Sequence, residues 1–111
     1  MRMKPIPRSL LIHNVMLKTP GASDAWQQPI YAQRQLLRVR VEPSDKIIVG
    51  SDNTQRQLVS TLFFDVQNSA PKGTEFSAGQ KVVWNGREMS VVTADPLYDG
   101  KRLHHWEVGL E

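Results

Sequence analysis

The chain of 111 residues contains no cysteine, so neither a disulfide framework nor a thiolate metal site can be built from it. That fits an intracellular or virion-type protein. No apolar run approaches the roughly 20 residues that a membrane span needs, and the chain is expected to be soluble, with no membrane partner. Basic residues precede the apolar run Leu10-Leu11-Ile12, but the run breaks at His13-Asn14 and no small-residue cleavage site follows, so a secretory signal is not expected. Also missing are an amphipathic helix of three or more turns, an internal repeat and a low-complexity tract. Charge is mixed: the formal excess of +3 permits contact with nucleic acid but lacks the long Lys/Arg tracts that would demand it.

What remains is strand pattern. Residues 1–9 carry two prolines and read as an extended arm. Leu10 to Lys18 is the first strand candidate, followed by a loop from Thr19 to Pro29. A second strand starts near Ile30 or Gln33 and ends at Glu42. Its stretch from Leu37 to Glu42 alternates apolar and charged residues, the mark of one wet face. Leu58 to Val66, rich in β-branched and aromatic residues, is a third and better buried strand. Gln67 to Gly79 is a breaker-rich loop. Lys81–Trp84 and Arg87–Thr93 flank Asn85-Gly86, the pair a type I′ turn requires because both positions need φ > 0. That turn sets Trp84 opposite Arg87, Val82 opposite Met89 and Gln80 opposite Val91. Trp84, Val82, Met89 and Val91 then share a core face, with Arg87 able to lie over the indole. Asp95 to Gly100 reads as a turn-rich link before a last strand, Leu103 to Leu110. The expected fold is all-β: a single domain over 1–111, a small antiparallel barrel or sandwich of about six strands.

Chemistry is hard to find. His104 and His105 are adjacent, so on a regular strand they face opposite ways and cannot ligate one ion without a bulge; a partly buried His104 and a solvated His105 are expected. There is no nucleophile elbow and no phosphate-cradling glycine loop, and the Asp95/Asp99 pair flanks a turn. No catalytic residue, metal or cofactor is indicated, and an enzyme is not expected. The alternative is a small nucleic-acid-binding barrel of OB or SH3-like type, using Trp84, Trp106 and Phe63 as base platforms with Arg38, Arg40 and Arg87 beside them. Both tryptophans, however, share a face with Val, Met and Leu, which favours core packing.

The stretch that stands out is Pro43 to Gln57, far longer than the usual hairpin connection of about 2 to 5 residues. Its centre is a cluster of turn formers, and it reads as a protruding hairpin arm with Ile47, Ile48 and Val49 on the ascending side.

Several blocks of residues carry a likeness when taken in order: Lys4-Pro5-Ile6-Pro7 with Leu10-Leu11-Ile12-His13, Arg38 to Ser44, and Thr61-Leu62-Phe63-Phe64-Asp65 with Asn68-Ser69. Asn85-Gly86-Arg87-Glu88, Asp95 to Asp99, and Leu103 to Glu107 complete the set. Together they resemble the small minor capsid proteins of tailed bacteriophages and prophages. The resemblance implies a head-tail connector component akin to a stopper or head-closure protein: a β-barrel assembled as a ring, usually dodecameric in the virion though compatible with a monomer in isolation. Such a ring sits below the portal and adaptor, contacts a tail-completion protein, and surrounds the packaged double-stranded DNA. A long inter-strand loop projects into its channel. By position this loop is 43–57, with Lys46, Ile47, Ile48, Val49, Gly50, Ser51, Asp52 and Asn53 as the channel segment; Arg38, Arg40 and Glu42 with the N-terminal arm are the expected ring interface.

Overall fold

The computed structural model describes residues 4–23, 29–49 and 53–111. After a 3-10 turn at Arg8–Leu10 come eight strands: β1 (His13–Ser23), β2 (Pro29–Pro43), β3 (Ile47–Val49), β4 (Gln55–Gln57), β5 (Ser60–Asp65), β6 (Lys81–Trp84), β7 (Arg87–Asp99) and β8 (Arg102–Leu110). Six of them close a barrel in the order β1-β2-β5-β8-β7-β6, every pairing antiparallel, and β6 returns to β1. β3 and β4 form a separate two-stranded ribbon. The all-β expectation holds, and closure selects the barrel over the sandwich. Closure also removes sheet edges that a chain this short could not otherwise cover.

The barrel is filled by the residues that alternation points inward. Val15 and Leu17, Val39 and Val41, Leu62 and Phe64, Val82, Met89, Val91, Val108 and Leu110 form one buried cluster, with Trp84 and Trp106 packed against it. Phe76, from the long loop before β6, caps this core edge-on to both Phe64 and Trp106, with ring centroids 5.5 Å apart in each case. The β6–β7 turn is as the sequence requires: Asn85 and Gly86 have φ of 52° and 75°, Trp84 opposes Arg87, and Val82 opposes Met89. The Trp84 ring takes its aromatic contact from His13, 4.9 Å away. Gly109 on β8 is buried under Leu58 and Thr93; a Cβ there would sit 2.9 Å from Leu58 Cδ1 and against Thr93 Oγ1, so only glycine fits.

Three features depart from the sequence reading. β1 starts at His13, later than expected, but runs on through Pro20-Gly21 to Ser23 where a loop was expected; β7 likewise continues through Pro96 to Asp99. Both prolines lie where the strand has a neighbour on one side only: β6 pairs with β1 no further than Lys18 and with β7 no further than Ser90. A missing amide on an open edge costs no ladder bond. In β2 the alternation is broken at a bulge: His13 pairs with Val39 and Val15 with Leu36, and Arg38 has φ of 56°. Leu36 is therefore buried and Leu37 exposed. In β8, Leu97 pairs with His105 and Tyr98 with Leu103, which makes His104 the extra residue of a second bulge.

The strand directions fix two ends. β1 ends and β2 begins at one end, together with the β7–β8 turn and the loop after β5. The opposite end carries the start of β1, the Asn85-Gly86 turn, the end of β8 and the β3–β4 ribbon.

Candidate functional site

The ribbon grows directly out of the barrel wall. Ser44 N–H donates to Val59 O at 2.9 Å, Leu58 N–H to Lys46 O at 2.9 Å, and Val59 N–H to Leu110 O at 2.8 Å, so the base is clamped between β2, β5 and β8. Leu58 is buried and anchors it. Above that base, Ile47 opposes Gln57, Ile48 opposes Arg56 and Val49 opposes Gln55. One face carries Ile47 and Val49, 63% and 65% exposed; the other carries half-buried Ile48 and Arg56. Arg56 Nη1 donates to Glu111 Oε1 at 3.0 Å and so links the ribbon to the residue that follows β8. Lys46 and Asn53 are exposed, and Asn53 has φ of 63°. Gly50, Ser51 and Asp52, the centre of the expected channel segment, lie outside the described residues.

Arg38, Arg40 and Glu42 lie on the outer side of β2, but their charged groups are engaged within the chain. Arg38 donates from Nε to Asn68 O at 2.8 Å, and its backbone N–H donates to Asn14 Oδ1 at 3.1 Å. Arg40 Nε donates to Glu42 Oε1 at 2.6 Å and its Nη1 to Leu10 O at 3.1 Å. These bonds serve a strap: residues 4–11 cross the outside of β5 and β2 from one end of the barrel to the other. Its anchor is Asp65, fully buried, whose Oδ1 accepts from Ile6 N–H at 3.0 Å and whose Oδ2 accepts from Gln67 N–H at 3.1 Å and Asn68 N–H at 2.8 Å. Asn68 Nδ2 returns a bond to Ile6 O at 2.7 Å, and the Ser69 hydroxyl donates to Arg38 O. Leu37 and Ala70 exchange two backbone bonds beside it. The sequence reading saw an extended arm here but not its docking site.

The strap's first described residue is held by the histidines. The bulge at His104 brings its ring against that of His105, with centroids 5.0 Å apart, and His105 is only 15% exposed; the expectation of a solvated His105 is corrected. Lys4 O can only accept, so His104 Nε2 donates to it across 2.7 Å; His104 Nδ1 then accepts from His105 Nδ1 at 2.8 Å, and His105 Nε2 faces Glu107 Oε2 at 2.9 Å. No cluster of three or more metal-ligating side chains occurs among the described residues.

His13 supplies a pH-sensitive joint. Its Nδ1 accepts from Val41 N–H at 3.0 Å, and burial first, then the Arg40 guanidinium, lowers the imidazole below its usual value of 6.5. A base whose folded value is depressed stabilises the fold above the unfolded value and loses that contribution as pH falls. Thermal unfolding of the wild type measured against His13→Gln should therefore show a difference that is full above pH 6.5 and shrinks as the solution is acidified below it.

The base-platform reading finds no support in this arrangement: Trp84 and Trp106 pack on the core, and Phe63 stacks on His105 at 6.5 Å.

A comparison with curated proteins finds no match. A family model described as minor capsid protein matches residues 7–110, from the strap through the last strand. A match over nearly the whole chain, on a barrel whose strap anchor and paired histidines coincide with the blocks that carried the likeness, means that this chain belongs to the minor capsid protein family of phage origin and has a structural role in the virion.

Proposed function

We propose that the chain is a ring-forming component of the head-tail connector, seated below the portal and adaptor and above a tail-completion protein. Its 43–57 arm reaches into the channel and holds back packaged double-stranded DNA. The observation that supports this reading is the ribbon itself: a clamped base and a two-stranded stem that holds Ile47 and Val49 out in solvent. Half of the fifteen-residue 43–57 insertion, fully extended at about 3.3 Å per residue, spans roughly 25 Å, enough for a ring of such arms to narrow a bore that admits a duplex. Exposed apolar side chains on an arm are costly in a monomer and reasonable where neighbouring copies cover them. The arm carries few charges, Asp45, Lys46, Asp52 and Arg56, in keeping with an element that must slide aside rather than grip phosphates.

Amine-reactive cross-linking of intact virions tests the placement. Links from Lys46 to a second copy, and from Lys101 or Lys72 to portal-vertex proteins, are expected; links to the shell protein alone would contradict it.

A further inference from the structure

Among the described residues, β1 has no strand on its outer edge beyond Lys18, and β2 has none from Ile30 to Leu36, since the Ala70 bridge begins at Leu37 and β5 at Arg40. The β1–β2 hairpin thus leaves the barrel as a two-stranded ribbon with two open edges, at the end opposite the 43–57 arm. Neither Thr19–Ser23 nor residues 29–33 contain a charged residue. Ile30 is 51% exposed, and Ala32, Gln33 and Gln35 are exposed beside it.

Other open edges in the described residues are blunted. That of β7 carries Asp95, Pro96 and Asp99; that of β8 past His105 spans only Arg102–His104; the edges of β3 and β4 are three residues long. From Ile30 on, the β2 edge is long, uncharged as far as Gln33 and free of proline up to Leu36, which makes it a template for another strand.

We infer that in the assembled ring the hairpins of successive copies pair edge to edge, β2 of one copy against β1 of the next, into a continuous antiparallel collar. This rests on the ring reading and deepens it. Cyclic symmetry points every hairpin the same way, so the descending β2 of one copy necessarily meets the ascending β1 of its neighbour, and one heterologous contact repeats until the ring closes. With no charged residue in Thr19–Ser23 or in 29–33, pairing of those two stretches brings no like charges together. Pro20 removes one donor from the β1 edge, but its carbonyl still accepts.

The chain's lack of cysteine makes the test direct. Chains carrying only Pro20→Cys are mixed with chains carrying only Tyr31→Cys, Gln33→Cys or Gln35→Cys, which share the Pro20 face of the ribbon in the observed register. Any disulfide then joins two copies. Oxidation of assembled particles should cross-link at least one combination nearly completely, with little cross-linking in dilute free protein. Particles that display the ring but cross-link in none of the three combinations overturn the collar alone. Particles without a ring overturn both readings, and equal cross-linking in the free protein marks collision rather than assembly and also overturns the collar.

Discussion

Particles built with a chain in which Asp45–Gln55 is replaced by a tight turn should package DNA and then lose most of it, while the isolated variant still folds. The deletion takes the Lys46 O acceptor from Leu58 N–H, but the bonds from Ser44 N–H to Val59 O and from Val59 N–H to Leu110 O, which tie the base to the barrel, lie outside it. Ile47 and Val49 are mostly exposed, so little buried apolar surface leaves with them. Arg56 and Glu111 remain, and even the loss of that exposed pair would cost only about 0.2–1 kcal/mol. Retention is read as the fraction of DNA-filled heads, and folding as the thermal midpoint of the purified chain. A variant that retains DNA as well as the wild type would remove the arm from the mechanism; one that fails to fold would show that the ribbon belongs to the barrel wall.

The second large effect is on stability. Asp65→Ala takes the acceptor from three backbone amides at once, those of Ile6, Gln67 and Asn68, in a site with no exposure to water. Charge-assisted bonds of this kind and the penalty for orphaned buried donors put the loss at roughly 3 kcal/mol or more. Urea denaturation measures it, and hydrogen exchange at Ile6 shows whether the strap has come free. Asp65→Asn should fall between, because it keeps an acceptor for one partner but turns an amide toward two N–H groups. A loss below about 1 kcal/mol for Asp65→Ala would mean that the strap is held by Leu11 and the histidines instead.

What could be read from the sequence follows from how local each signal is. The Asn85-Gly86 hairpin and its register depend on two adjacent residues and an alternating pattern, and both were legible. The ribbon at 47–57 was legible as an arm because a strand on either side made the excess length conspicuous. By contrast, Pro20 and Pro96 read as strand breakers, because only the short reach of β6 tells that each lies on an open edge. The bulges at Arg38 and His104 each shift alternation by one residue, which exchanged Leu37 for Leu36 in the core and turned His104 onto His105. The strap anchor was invisible for a different reason. Asp65 reaches Ile6 across 59 positions and His104 reaches Lys4 across 100, and no window on the sequence contains both partners. Its trace was indirect: the short blocks that carried the family likeness are the ones that meet there.

The central claim is that the 43–57 arm points at the axis of a ring of this chain, and imaging of the portal vertex in DNA-filled particles tests it most directly. An annulus of barrels between head and tail with the β3–β4 ribbons converging on the DNA is the expected result. An annulus whose ribbons point outward, or the chain found on the capsid shell instead of at the vertex, would contradict it.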